Sequence, residues 1–398
     1  MIKFLKKTRS INKKLRDPKT GPDNPSGEQG PCNPEGFPKV SFVDAAPRDS
    51  QQVLKGSKKR FHENPEYNLS LLAERIPNPQ LVCEKFTIGS LAPKKVTAVY
   101  LKNRTNPEII AEVRKRLLAI RAETVLDPSY IERNIENSSW SPFPQVEITE
   151  KPDIAESALL QGRVVLITDG SPQVLLAPVT FFDLLDTRDD TYMRWFVAAN
   201  FFRLARYVMF IFAVSLPAFY IALTSYNPEL IPTRLLYLIL SARENSPFPV
   251  YFEAFFLMGI IEAVRMMMVR MPSQVGTTIA LMSGITLVIA GLWSNIIAAP
   301  IVIIVTLTMI SSFGIPNYDL RLAIRILQFF TMVMASFLGI FGFAAAFFYI
   351  AIHLVTLKSF GIPYMAPVAP MDTGSMGHTV FRENTPVMAK DNTYKPQK

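Results

Sequence analysis

The chain has 398 residues, of which 49% are hydrophobic and 19% charged, an average only slightly more apolar than that of a soluble protein. The distribution excludes a wholly soluble one, because residues 207–228, 271–318 and 326–357 are uncharged runs of 22, 48 and 32 residues. Charge is just as uneven: eight basic residues against Asp17 in the first 19 positions account for +7 of the net +9.

Residues 1–60 read as a basic, Pro-rich arm, mostly disordered for want of apolar periodicity. The arm is isolated from aromatic stacking residues, so no nucleic-acid partner is expected. Anionic membrane lipid would attract it, by about 1 kcal/mol per basic residue near the surface. No apolar stretch follows the basic residues, so no cleavable signal peptide is expected and the N-terminus should remain cytoplasmic. Cys32 and Cys83 then face a reducing compartment, where a disulfide is not expected. His62, His353 and His378 without a cysteine cluster offer a metal few ligands, and no metal or cofactor is expected.

Residues 61–195 read as a cytoplasmic α/β domain. The spacing predicts a helix over 66–76, strands over Lys85–Leu91 and Val96–Leu101, and a helix over Pro107–Val125 with Asn106 as its cap. A short helix over Ser129–Asn137 follows an Asp-Pro pair. Val164–Thr168 and Gln173–Ala177 flank Asp169-Gly170-Ser171-Pro172, which predicts a hairpin.

Residues 196–358 read as an all-α membrane domain of four or five spans, followed by a tail over 359–398. A bilayer core of about 30 Å needs about 20 apolar residues in a helix. The expected spans are Arg203–Leu223, Thr277–Trp293, Ile296–Phe313 and Arg325–Val355, the last a single over-long helix, and Thr233–Arg243 is expected to lie on the membrane surface. Pro247–Arg270 is ambiguous: its charges place it either at the interface or facing protein or water. The fold class is therefore a cytoplasmic α/β domain followed by an all-α multi-spanning bundle.

Two readings of that charged helix stay open. Glu253 and Glu262, nine positions apart, fall on opposite faces. Glu262 and Arg265, at i and i+3, can neutralise one another; alternatively Glu262 or Glu253 contributes to a ring of carboxylates in a cation path, with Arg265 beside it. Gly339 and Gly342 read as close-packing residues, and His353 as a hydrogen-bonded residue near a span end. With no nucleophile, paired-carboxylate or phosphate-loop pattern, no enzyme is expected.

From residue 69 to about 370 the chain resembles the GerA family of spore germinant receptor A subunits. The resemblance is carried in order by Asn68-Leu69-Ser70-Leu71-Leu72 with Arg75, Lys85-Phe86-Thr87-Ile88-Gly89, Phe143-Pro144-Gln145-Val146, Thr149-Glu150-Lys151-Pro152-Asp153, Gly162-Arg163-Val164, Asp169-Gly170-Ser171-Pro172 and Ala177-Pro178-Val179-Thr180-Phe181. It continues through Leu216-Pro217-Ala218-Phe219-Tyr220, Pro228-Glu229-Leu230-Ile231-Pro232-Thr233, Ala242-Arg243-Glu244, Pro247-Phe248-Pro249 and Ser359-Phe360-Gly361-Ile362-Pro363-Tyr364-Met365-Ala366-Pro367. The resemblance implies a multi-pass protein of the spore inner membrane, acting in nutrient-triggered germination as a homo-oligomeric, pentameric channel that releases monovalent cations. It also implies a transporter-like B subunit and a lipoprotein C subunit as partners, or, for a divergent paralogue, a non-conducting scaffold or modulator role. The chain departs from the family pattern in three places. The folded N-terminal subdomain is replaced by the basic arm, Met266 stands at the family's second acidic position, and Ile289-Ala290 replaces a Gly-Gln or Gly-Glu pair.

Overall fold

The structure is a computed structural model that describes residues 28–31, 59–187, 195–270, 273–371 and 394. The rest of the basic arm, and the tail beyond 371 apart from Tyr394, lie outside the described residues.

Three helices of the first domain begin with the same device, an Asx residue followed by proline. They are α1 (Pro65–Arg75), α2 (Pro107–Ala119) and α3 (Pro128–Ile135), capped by Asn64, Asn106 and Asp127. In each, the Asx side chain accepts the N–H two residues on, at 2.9, 3.0 and 3.4 Å. Proline gives up a donor that the first turn cannot use anyway and presets its φ.

The strands form one antiparallel sheet in the order β1 (Glu28–Pro31), β2 (Leu81–Ile88), β3 (Lys94–Leu101), β5 (Val164–Thr168), β6 (Val174–Ala177) and β4 (Glu147–Thr149). β1 arises within the segment read as a basic arm. β2 starts four residues before the predicted Lys85, because Leu81, Val82 and Cys83 pair with Leu101, Tyr100 and Val99. The β5–β6 hairpin falls where predicted, with Gly170 at φ 77° in its turn.

Two helices cover each face of the sheet. On one, α1 and α4 (Pro152–Gln161) bury Leu72, Ala155 and Leu159 against Val99, Val165 and Leu176; on the other, α2 and α3 bury Val113, Leu117 and Ile131 against Val96, Leu166 and Leu175. Burial on both faces explains why β5 and β6 are buried throughout and apolar but for Thr168, with no buried–exposed alternation. The helix α4 and the short α5 (Phe181–Leu185) escape the periodicity reading, since α4 buries Asp153 and Ser157 along with its apolar residues. Cys83 is disulfide-bonded, which corrects the expectation of reduced thiols. That expectation weighed only the compartment, whereas β1 brings the N-terminal segment alongside Cys83.

The second half is helical: α6 (Phe196–Ser225), α7 (Thr233–Arg243), α8 (Val250–Arg270), α9 (Ser273–Trp293), α10 (Ala299–Phe313) and α11 (Tyr318–Thr356). α6 and α11 are long and apolar enough to cross a membrane. α10 starts later than the predicted Ile296 because Asn295 takes φ 53° and turns the chain.

α11 is not the single over-long helix that its sequence suggests. At Gly339 the backbone leaves the helical region (φ 59°, ψ −136°), and a Cβ on Gly342 would stand only 2.0 Å from the carbonyl oxygen of Met334. Eight residues of straight helix would separate those positions by about 12 Å. The chain therefore reverses at Gly339 into an outgoing arm of 21 residues and a return arm of 17. The arms pack side by side, with Phe330 against Tyr349 and with Leu320, Ile324 and Leu327 in one core with Ile350 and Leu354.

Contacts set the direction of every helix. α6 leaves the sheet domain where Phe210 meets Phe181, and ends at the far face where Tyr226 meets Gly339. α8 starts at the far face beside Ala222 and Ile297 and finishes near the domain beside Arg325. α9 leads out to Ile297, and α10 returns to Gly314, against Met209. With the two arms of α11, six described helical segments run between a domain face and a far face, and the last of them returns to the face that the first left. There the β7 (Lys358–Ser359) and β8 (Ile362–Pro363) ribbon is fastened to the first domain. Ser359 Oγ donates to Gln145 O at 2.8 Å, Tyr364 Oη to Pro144 O at 2.7 Å, and Phe360 enters the core of α2 and α3.

Candidate functional site

α8 carries the three residues singled out by the sequence, and Glu253, Glu262 and Arg265 each contact protein groups. Glu253, 1% exposed, sits one turn in from the helix start. Its carboxylate accepts Arg243 Nη1 at 3.1 Å, the Ser246 hydroxyl, and the N–H of Ala298 at 3.3 Å. It therefore ties the end of α7 to the start of α8 and caps the first turn of α10. An ionised carboxylate so far from water persists only when its lone pairs are filled in this way.

Glu262 lies about 13 Å further along the axis, on the opposite face. Its Oε2 accepts Arg265 Nη1 at 3.2 Å and its Oε1 accepts Arg325 Nη1 at 2.8 Å, joining α8 to the second turn of α11. The Arg265 guanidinium also lies 5.4 Å over the ring of Phe313. The structure thus brings Glu262 and Arg265 together and leaves Glu253 at the far end of the same helix. The partners Arg243 and Arg325 escaped the sequence reading. Each stands 10 or 63 positions from its glutamate, and the signal that could have found them is the need of any intrahelical carboxylate for a cation.

At the junction of domain and bundle, a polar cavity of about 730 Å³ is lined by Glu147, Lys151, Arg163, Asp183, Asn317 and Arg321, among others. Arg163, 3% exposed, donates to Pro178 O and to Glu147, both at 2.8 Å. Tyr394, 1% exposed, donates its hydroxyl to Asp183. On the neighbouring α3, burial first, then the nearby carboxylates of Asp319, Glu136 and Asp127, push the Glu132 carboxyl up to about 8. His353, from the return arm of α11, meets Ser141 Oγ at 2.9 Å and stacks on Phe143. At the far face, Tyr220, Leu223, Leu235, Ile239, Ile304 and Ile340 help to line an apolar cavity of about 580 Å³.

Residues 45–394 match the family model described as Bacillus/Clostridium GerA spore germination protein. The chain is 37% identical over 321 residues to the uncharacterized membrane protein YfkQ of Bacillus subtilis (strain 168), covering 81% of this chain and 62% of that one. It is 36% identical over 318 residues to spore germination protein A1 of the same organism, covering 80% and 66%. Against spore germination protein GerLA of Bacillus cereus it is 36% identical over 324 residues, covering 81% and 66%. The chain thus spans 62–66% of the length of these relatives. Among solved structures, the N-terminal domain of the A subunit of the Bacillus megaterium spore germinant receptor GerK3 matches 31% of this chain and 98% of its own, at 35% identity and a TM-score of 0.27.

Proposed function

We infer the function from one plain premise: the chain belongs to the Bacillus/Clostridium GerA spore germination protein family. In our reading it is an A-type subunit of a spore germinant receptor, a multi-pass protein of the spore inner membrane that acts in nutrient-triggered germination without catalysing a reaction. It works beside a transporter-like B subunit and a lipoprotein C subunit, and as a homo-oligomer, a pentamer, it provides a route for monovalent cations. The six passes are the crossings, so the N-terminal domain and the clasped segment 358–371 share the cytoplasmic side. Exposed Phe337, Leu338 and Phe341 at the tip of the α11 reversal, far from that domain, suit an apolar surrounding.

The observation that carries the conducting reading is the Glu262, Arg265 and Arg325 cluster, in which charges lie inside an otherwise apolar bundle. Such groups are expensive within a membrane and mark ion pathways and switches. Glu262 then serves as the paired, movable charge of a cation route rather than as a bare carboxylate. In liposomes carrying the full chain, Glu262→Ala is expected to change potassium or sodium flux several-fold; unchanged flux overturns the assignment. The pairing of both glutamates favours a second reading, a non-conducting scaffold or modulator. That reading expects no flux from the purified chain, and loss of partner subunits from spores that lack it.

A further inference from the structure

The charges at the domain end of the bundle do not cancel. Arg321 and Arg325, four residues apart on the outgoing arm of α11, share one helix face, and Arg265 reaches toward them from α8. The three guanidinium groups are close enough to act on one another electrostatically. Two of them bind Glu262, while Arg321 makes no ion pair with it and lies 5.7 Å over the Tyr318 ring. A further carboxylate, Asp319, acts on Arg321, and its field also acts on Glu132 and Glu136 in α3. Among Arg265, Arg321, Arg325, Glu262 and Asp319, cations outnumber anions three to two.

The donors are unfilled as well. The Nε atoms of Arg265, Arg321 and Arg325 are buried and have no hydrogen-bond partner. Arg265 spends Nη1 on Glu262 and Nη2 on the Met309 sulfur, and Arg325 spends Nη1 on Glu262. A guanidinium presents its N–H groups as a planar fork matched to a carboxylate or phosphate, so three partly filled forks around one glutamate make an incomplete anion site. Access exists, since the Arg265 and Arg325 side chains are 13% and 18% exposed. The surroundings are apolar: Met266 on α8, Leu322 and Ile326 on α11, and Phe313 at the end of α10 stand exposed. Cationic donors at a bundle end, bordered by exposed apolar side chains, match a molecule with an anionic head and hydrocarbon chains.

We propose that Arg265, Arg321 and Arg325 form a binding site for a phosphate-bearing anion, filled in the membrane by the headgroup of an anionic phospholipid whose chains lie along Phe313, Leu322 and Ile326. The site staples α8 to α11 at the end of the bundle that meets the α/β domain. Its lipid form rests on the membrane reading above, but its test measures binding and needs no germination or flux.

The full chain, purified from vesicles of equal phosphatidylglycerol and phosphatidylcholine, is expected to retain phosphatidylglycerol preferentially. Arg321→Gln, which breaks no ion pair with Glu262, is expected to lower that retention about fivefold, the scale for one arginine near an anionic surface, and Arg321→Lys to restore part of it. Because the variant leaves residues 1–60 untouched, the difference separates this site from attraction to the basic arm. Arg265→Gln, on the other helix, gives the same reading if Arg321→Gln does not fold. In a second arm, inorganic phosphate is added to delipidated protein in detergent: a saturable rise in melting temperature that Arg321→Gln abolishes supports the site with free phosphate as a source. Equal retention of the two lipids together with no effect of phosphate, or undiminished phosphatidylglycerol in Arg321→Gln, overturns the proposal.

Discussion

The α/β domain and the helical bundle solve the same problem, the burial of polar groups, with a different balance of local and long-range partners. In the domain, several buried polar groups are filled by neighbours close in sequence: Asn68 exchanges hydrogen bonds with the backbone of His62, and the Thr180 and Asp183 side chains cap each other's backbone in a capping box, although Glu84 and Glu147 take the guanidinium groups of Arg114 and Arg163. In the bundle, buried hydroxyls such as those of Ser215, Thr308 and Ser311 bond to carbonyls of their own helix, while the glutamates are filled by charges from other helices, as with Glu253 and Arg243 or Glu262 and Arg325. Groups satisfied locally are robust to losing one distant partner. The bundle instead concentrates its polar energetics in a few long-range pairs, each worth several kcal/mol once broken.

The largest expected effect tests that concentration directly. Arg243→Met leaves the Glu253 carboxylate, 1% exposed, without its cation, and should cost about 3–5 kcal/mol. Thermal unfolding in detergent checks this, and the double variant Arg243→Met with Glu253→Gln should recover much of the loss. If the single variant unfolds like the parent, the contrast between the two regions collapses.

Next in size is the α11 reversal. Gly339 adopts φ 59°, and a Cβ there would lie 2.7 Å from the Tyr226 ring, so Gly339→Ala should destabilise by about 1–3 kcal/mol. Gly284→Ala, where no atom lies within 4 Å, should be neutral or slightly stabilising by the same measurement. Equal effects at the two positions would mean that the reversal carries no special backbone demand.

The smallest effect belongs to the domain and depends on pH. Glu132 has its carboxyl raised from 4.5 to about 8, so the folded state holds a proton that the unfolded chain releases. Its stabilising effect is complete below about pH 4.5 and is lost as pH rises toward 8. Glu132→Gln should therefore match the parent at low pH and be more stable above pH 8 by on the order of 1 kcal/mol, discounted for partial exposure. Parallel stability curves across that window would remove the link between α3 and Asp319.

Much of the domain was legible in sequence because its signals are local. Asn106-Pro107 marks a helix start, Asp169-Gly170 marks a hairpin, and the apolar residues of α2 recur at helical spacing. What escaped was local structure with mixed polarity, such as α4, whose buried Asp153 and Ser157 break the pattern. In the bundle, the position of α7, the continuity of α8 and the i,i+3 pair of Glu262 with Arg265 were also readable. The reversal at Gly339 was not, because a glycine that packs and a glycine that turns leave the same mark in an apolar run.

By itself, then, the sequence determined where the capped helices and the β5–β6 hairpin form, which segments are too apolar for water, and that α8 carries charges needing partners. Periodicity and capping are properties of neighbouring residues, and they need no fold to act. Only the tertiary structure decided which cations those partners are, and that α11 doubles back so that the segment after it clasps the α/β domain. Only there, too, do three arginines from two helices meet around one glutamate. Each of these depends on residues 10 to more than 200 positions apart meeting in space, where the cost of isolating a charge or a backbone polar group selects one arrangement among many that the local pattern allows.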